Sequence, residues 1–292
     1  MLLEKVSVII PTYNGESEIR RAIDSALSQE GCDVEVIAVN DGSTDNTKAV
    51  LDSYGDRIRA IHRHNSGPAP TRNAGIAAAT GDWIAFLDHD DFWKPGKLKA
   101  QLAAAAGTGA DIIYTNCENF GDVNRVAQLR SIPGQMPEGD LFEPLLLDNF
   151  IVISSTMIRR SLLLQFGSFD APPGVEDWDL WLRLAASGAK FTPVREAVTM
   201  YQWRPGSLSK NFAHMRQVRR QIIRKAMASE RATSLPWAFR CRVLANVESC
   251  SAWFLASSSP AKAISWYARS LFYWPFDLNC WKGIIKGCLG RA

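Results

Sequence analysis

Short apolar runs alternate with amphipathic stretches through the first hundred residues. Val6-Ser7-Val8-Ile9-Ile10 is apolar and β-branched, and Pro11 with Asn14-Gly15 ends it. Apolar positions then recur at helical spacing through Ile19, Ile23, Ala26 and Leu27. Val34 to Val39 reads as a second buried strand that runs into Asn40-Asp41-Gly42-Ser43. Thr44 or Asp45 stands where a cap opens a helix reaching Tyr54. Ile58 to His62 reads as a third strand, and Pro68 suits the first turn of a helix continuing through Ala79. Trp83 to Leu87 is a fourth strand, apolar on both faces, as a strand covered by helices on both sides must be.

Buried strands alternating with helices predict an α/β fold with a parallel, doubly wound sheet. Ligands in such sheets bind beyond the carboxyl ends of the strands. Three polar clusters fall there: Thr12-Tyr13-Asn14, Asn40-Asp41-Gly42-Ser43 and Asp88-His89-Asp90-Asp91. Each alone reads as a turn, but three at one edge make a site. Farther on, Ile112 to Tyr114 predicts a strand, 118–137 hairpin or loop, Glu138 to Asn149 a helix, and Ile151 to Ile158 β structure. Glu176 to Leu184 predicts a helix ended by Gly188. From 213 onward the pattern is helical, broken at Pro236, at Ser257 to Pro260 and at Trp274-Pro275.

Charge divides the chain where the pattern changes. Residues 1–212 carry 20 Lys/Arg against 27 Asp/Glu, a balance of −7, whereas 213–292 carry 13 against 3, a balance of +10. An acidic body at 1–212 and a basic helical region at 213–292 are therefore expected as separate parts. With 47% hydrophobic and 22% charged residues the chain is globular rather than disordered. Six cysteines without a CxxC pair argue against a zinc site and for reduced thiols in the cytoplasm. No run reaches the roughly 18 apolar residues of a membrane span.

The clusters carry specific chemistry. Asp88, Asp90 and Asp91 crowd three carboxylates into four positions, which a cation or proton must compensate. Mg²⁺ or Mn²⁺ suits oxygen ligands shared with phosphate, and would stabilise a diphosphate leaving group. Asp41 at a strand end can accept from the N–H of a uracil-like base, with Pro11, Thr12 and Tyr13 lining the pocket; an Asx turn is the plain alternative. Arg72 either reaches a phosphate bidentately or lies on the surface. Glu176 and Asp177 open a helix, where the macrodipole favours acids in any case, and one of them could serve as a general base. Trp178 and Trp181 suit stacking on a sugar acceptor, though buried core is the commoner fate of such residues.

Taken together these residues resemble the family 2 inverting glycosyltransferases of the GT-A fold, of the kind that builds bacterial cell-surface polysaccharides. The resemblance runs from Val6 to Ser209. After the two first clusters come Asn65-Ser66-Gly67 with Arg72-Asn73-Ala74-Gly75, then Phe86-Leu87-Asp88-His89-Asp90-Asp91, Gly167-Ser168-Phe169-Asp170, and Glu176-Asp177-Trp178-Asp179-Leu180-Trp181. It implies a nucleotide-sugar donor, usually a UDP-sugar, bound by Pro11, Thr12, Tyr13, Asn14, Asp41, Arg72, Asp88 and His89. It implies Asp90, with Asp88, as ligands of Mn²⁺ or Mg²⁺. Asp177 would be the catalytic base, with Glu176 the competing assignment. Where relatives often carry His before Pro-Gly-Ser, Arg204 stands here, and a guanidinium can supply charge but not ligate a cation.

The basic region adds Trp237, Trp253, Trp266, Trp274 and Trp281. Basic residues with aromatics match a helix lying on an anionic membrane, where a polyprenyl-diphosphate-linked saccharide would be the acceptor at the inner face of the plasma membrane. A lid or a homodimer element is the alternative. Nucleic acid is disfavoured because no binding motif accompanies the charge. Two other functions compete. A sugar-1-phosphate nucleotidyltransferase would want a Gly-rich phosphate loop after the first strand, where Pro11-Thr12-Tyr13-Asn14 stands. A non-catalytic scaffold would be expected to lose a carboxylate, yet Asp41, Asp90 and Asp177 are all present.

Overall fold

The computed structural model describes residues 4–122, 127–204, 212–256 and 258–289. The chain divides into two compact units, one formed by Met1–Leu141 and Asn149–Pro205, the other by Phe142–Asp148 and Gly206–Ala292. The boundary expected at 212 falls beside residues 205–211, which lie outside the described residues together with the Pro205-Gly206-Ser207 motif.

The first unit contains β1 (Lys5–Thr12), α1 (Ile19–Leu27), β2 (Asp33–Asn40), α2 (Thr47–Asp52), β3 (Arg59–His62), α3 (Pro68–Ala78), β4 (Trp83–Phe86), β5 (Phe92–Trp93), α4 (Lys97–Thr108) and β6 (Ile112–Gly121). Past the residues of α5 (Phe142–Leu147), it continues with β7 (Thr156–Arg159), α6 (Arg160–Phe166), α7 (Glu176–Ala186) and β8 (Phe191–Trp203). Its strands form one sheet in the order β3-β2-β1-β4-β7-β6-β8-β5. Strands β3, β2, β1 and β4 are mutually parallel, β6 pairs parallel with β8, and β7 and β5 run against their neighbours. The mostly parallel α/β sheet expected from the alternation is thus present.

Burial follows the pattern. From Val6 onward every residue of β1 is buried, as a central parallel strand covered on both faces requires. Helix α1 buries Ile19, Ala22, Ile23 and Ala26 at helical spacing, and these join Val6, Val8 and Ile10 in the core. On the other face α3 lies so close to the sheet that a Cβ at Gly75 would collide with the Ile9 side chain. A Gly75→Ala substitution gains helix propensity but overpacks this contact, and we expect a net loss of about 1–2 kcal/mol in urea unfolding. Ile9→Ala in the same chain should make the two costs less than additive.

Three expectations need correction. The helix expected over Glu138 to Asn149 forms only at α5, because Gly139 exchanges backbone hydrogen bonds with Phe191 at 2.7 and 2.9 Å. The strand expected over Ile151 to Ile158 is confined to β7, and Ile153–Ser155 forms a 3-10 turn instead. The cap of α2 is Asn46, although Asp45 does accept the Thr47 N–H at 3.0 Å.

The second unit is helical: α5, then α8 (Phe212–Met227), α9 (Glu230–Thr233), α10 (Trp237–Leu255), α11 (Pro260–Tyr273) and α12 (Leu278–Cys288). Its core includes Ala252, Ala263, Tyr267, Leu271 and Cys280. The Glu248 carboxylate is buried on α10 and accepts from the Arg216 guanidinium of α8 at 2.9 and 2.5 Å. None of the six cysteines is in a disulfide. Among the described residues no helix is long and apolar enough to cross a membrane.

Candidate active site

The carboxyl ends of the parallel strands gather the polar clusters. Thr12 is level with Asn40, and Asn40 with His62, so the segments that follow β1 and β2 leave the sheet side by side. They are laced together. Asn14, held at φ 51°, accepts the Thr44 N–H at 2.8 Å on Oδ1 and donates its own N–H to Ser43 Oγ at 3.0 Å. The Gly15 N–H donates to Thr47 Oγ1 at 2.9 Å. Pro11 and Thr12 are buried, and Tyr13 is exposed. Thr12 Oγ1 has no hydrogen-bond partner among the described residues, an orphaned buried hydroxyl at the strand end.

Asp41 is buried directly after β2. Its Oδ1 accepts the Ser66 N–H at 2.9 Å and the Ser66 hydroxyl at 3.1 Å, and its Oδ2 accepts the Gly67 N–H at 2.8 Å. The carboxylate therefore clamps the loop that leads into α3, with one lone pair of Oδ2 still available. Gly67 sits at φ 90° just before Pro68, a conformation that glycine adopts without strain.

The acidic cluster divides into three environments. Asp88 Oδ1 pairs with Arg72 Nη2 at 2.7 Å. Asp91 is buried: its Oδ2 accepts from Ser154 Oγ at 2.5 Å and its Oδ1 from the Gln202 N–H at 2.7 Å. Ser154 Oγ in turn accepts the Asp88 N–H at 3.0 Å, so one serine hydroxyl links both aspartates. Burial, then the charges of Asp90 and Asp88, push Asp91 well above the usual carboxylate range. Asp90 is the open member. Its carboxylate lies 3.7 Å from Arg204 Nη2, and its carbonyl accepts from Arg21 Nη2 at 2.8 Å. Burial and the neighbouring Asp88 charge raise its pKa, opposed by His89 and Arg204. His89 is half-buried, with its ring against Gly15.

Arg72 joins this cluster to the start of α7. It is buried, with Nη2 on Asp88 at 2.7 Å and Nη1 on Glu176 at 2.8 Å. Those two carboxylates raise its pKa despite burial. Both terminal nitrogens thus engage acids of the chain itself, while the buried Nε has no hydrogen-bond partner among the described residues. Beside it, Asn73 exchanges hydrogen bonds with the Phe169 backbone at 2.8 and 3.0 Å, which seats the Gly167-to-Asp170 segment against α3.

Glu176 and Asp177 are adjacent but differently employed. Glu176 is buried, paired with Arg72, and accepts the Gly174 N–H at 2.6 Å. Asp177 accepts from Asn149 Nδ2 at 3.2 Å and from the Trp178 N–H at 2.7 Å, and makes no ion pair within 4.0 Å among the described residues. Burial, then the Glu176 charge, push its pKa up to about 7. Trp178 and Trp181 are only 4% and 0% exposed. They belong to the core, and neither offers a ring face to an acceptor.

Among the described residues no three His, Cys, Asp or Glu side chains form a ready cation cage. Mg²⁺ and Mn²⁺ do not need one, since they can bind through one or two carboxylates and complete their shell with phosphate and water oxygens. Asp90, with its side chain 29% exposed and the charge of Asp88 beside it, suits that mode. Asp88 contributes less freely, because Oδ1 is held by Arg72.

Several residues of the cluster had no motif to announce them. Ser154 sits in the apolar run Ile151 to Ile158, where a buried hydroxyl was the one available signal. Asn149, Gln202, Arg21 and Glu18 arrive from distant positions; Glu18 Oε1 accepts from Arg204 at 2.9 Å. Lys97 is fully buried, stacked 3.9 Å from the Trp93 ring centroid and donating to Gln101 at 2.8 Å.

Known proteins bear on this arrangement. The succinoglycan biosynthesis protein ExoO of Rhizobium meliloti is 34% identical over 221 residues, covering 70% of this chain and 62% of that protein. The chain spans less than two thirds of the length of the curated relatives it matches first. In fold it is similar to S. aureus TarS 1–349 in complex with UDP-GlcNAc, with TM-score 0.62, 17% identity, and coverage of 98% of this chain and 92% of that one. It is likewise similar to the mannosyltransferase PcManGT from Pyrobaculum calidifontis in complex with GDP-Man and Mn²⁺, with TM-score 0.62, 17% identity, and coverage of 100% and 88%. The family model for glycosyl transferase family 2 matches residues 7–167, through the strand-end clusters and up to Gly167, and the chain belongs to that family.

Proposed function

We propose that this family 2 glycosyltransferase moves a sugar from a nucleotide-sugar donor, a UDP-sugar in the first instance, to a hydroxyl of a saccharide acceptor, with inversion at the anomeric carbon. A lipid-linked acceptor in surface polysaccharide synthesis, on the cytoplasmic side of the membrane, agrees with the ExoO likeness and with the basic helical unit. One observation carries the reading: Arg72 binds Asp88 and Glu176 at once, which ties the acidic cluster to the helix start that presents Asp177. Charge-stabilising and proton-accepting groups thus belong to one rigid network.

Each group has its task. Asp41 and the Pro11-to-Asn14 segment hold the nucleoside end of the donor, with Thr12 Oγ1 available to it. Asp90, assisted by Asp88, would hold the divalent cation, which when bound neutralises charge on the departing diphosphate. Arg204 adds a positive charge beside Asp90. Asp177 accepts the proton of the acceptor hydroxyl as its oxygen bonds to the anomeric carbon and the bond to diphosphate breaks. Glu176 is spent on Arg72 and the Gly174 N–H, which favours Asp177 as the base.

Thermal shift tests donor binding without turnover. UDP or GDP at about a hundred times its dissociation constant adds about 2.7 kcal/mol of stability. One of them should raise Tm when Mn²⁺ or Mg²⁺ is present, and Asp90→Asn should remove the metal-dependent part. No shift with any nucleoside diphosphate, or an unchanged metal-dependent shift in the variant, would refute the proposal.

A further inference from the structure

Helix α12 uses one face to pack and leaves the other open. Its inward face is small: Cys280 is buried, and a Cβ at Gly283 or Gly287 would stand 2.5 Å from the Tyr267 ring or 2.9 Å from Ile264 of α11. The backbones can approach this closely only because those side chains are missing. The outward face is large and apolar. Leu278, Trp281, Ile285 and Leu289 recur at intervals of three and four residues, one line along a helix, and are 70%, 48%, 57% and 62% exposed.

Two more exposed aromatics stand just before α12, Phe272 on the last turn of α11 and Phe276 in the connecting turn. Phe272 and Phe276 are 86% and 74% exposed. The Phe276 ring meets Trp274 edge-on at 5.4 Å, and Trp281 Nε1 donates to the Pro275 carbonyl at 2.9 Å, so the aromatic tip is held in place. Lys282 and Lys286 are exposed along one side of the line. From 260 to 289 the acidic complement is Asp277 alone, against Lys262, Arg269, Lys282 and Lys286. Asp277 caps α12, accepting from Asn279 and Cys280 N–H groups at 2.9 and 3.3 Å.

We propose that this face, Phe272, Phe276, Leu278, Trp281, Ile285 and Leu289, rests on an anionic membrane surface. The apolar side chains enter the headgroup layer, and Lys282 and Lys286 meet lipid phosphates. An amphipathic helix too short to span, bearing aromatics beside lysines, is built for the interface plane. Charge selects this occupant over a second copy of the chain. Two such faces brought together would oppose lysine to lysine, with only the helix-capping Asp277 to compensate, whereas anionic lipid supplies the missing charge.

Co-sedimentation of the full chain with phosphatidylcholine vesicles, with and without phosphatidylglycerol, tests the proposal. Binding should require phosphatidylglycerol and weaken with salt. Ile285→Asp with Leu289→Asp should lower it by about tenfold or more, and Lys282→Glu with Lys286→Glu by about tenfold. All four side chains are exposed, so Tm and far-UV circular dichroism should stay as in the parent, and Lys48→Glu on α2 serves as the charge control with unchanged binding. Absence of binding to anionic vesicles, or variants that bind like the parent, would overturn the proposal. So would a dimer in solution that Ile285→Asp dissociates, since the face would then belong to a second copy. The readout involves no sugar transfer, and its outcome is independent of the proposed reaction.

Discussion

Asp177→Asn is expected to lower kcat by about 10²–10⁴-fold, the usual contribution of a positioned general base, while donor affinity stays within about twofold. The amide keeps the size of the side chain and loses the proton acceptor. The pH profile should show the same group. With burial and the Glu176 charge holding Asp177 at about 7, the competent ionised form grows as pH rises through 7, and kcat/KM should climb on an acid limb centred there. Stability should run the other way. A carboxyl whose pKa is raised on folding contributes stability that is fully present below its unfolded value and lost as pH rises through the folded one. Asp177→Asn should therefore be more stable than the parent above pH 7 and lose that advantage below about pH 4. Steady-state rates and urea unfolding across pH 4–9 check both limbs. A stable, fully active Asn variant would remove Asp177 from the chemistry.

Arg72→Leu should have the largest effect on stability, a loss of about 3–5 kcal/mol, because removing one partner strands buried charge. Glu176 is the partner left worst off, buried on α7 with a single remaining N–H donor named among its contacts, whereas Asp88 is more exposed and better hydrated. Adding Glu176→Leu should therefore restore part of the loss, about 1–2 kcal/mol, when both are unfolded in urea. The activity readout is separate. Arg72 lowers the Asp177 pKa, so whatever activity Arg72→Leu keeps should show its acid limb moved to higher pH. A limb that stays in place would mean that Arg72 stabilises the fold without tuning the base.

These two residues also show what could be read from sequence. Strands β1, β2 and β4 hold apolar runs ended by polar clusters, and since β4 is buried throughout, β1 from Val6 and β2 from Val36, the pattern is nearly free of noise there. The positions of Asp41, Asp88 to Asp91 and Asp177 followed from strand and helix ends. Arg72 did not, because its place depends on two acids 16 and 104 residues away, and no local spacing encodes such pairs. Strand β8 escaped for a similar reason. It carries Pro193 and exposed Arg195 and Glu196, which interrupt alternation, and its register against β6 shifts near Asn116. The 150s misled in a more useful way. Ile151 to Ile158 has the composition of a long strand, but Ser154 turns to serve Asp88 and Asp91, and local propensity gives way to the polar network. Trp178 and Trp181 follow the commoner expectation for such residues, buried in the core by the helix that carries the motif.

Release of nucleoside diphosphate from UDP- and GDP-sugars, followed with saccharide acceptors and Mn²⁺ before and after chelation, tests the central claim most directly. Release that requires the divalent cation, and that Asp177→Asn reduces by about 10²-fold or more, is the predicted result. Release unchanged by Asp177→Asn and by chelation would contradict the account.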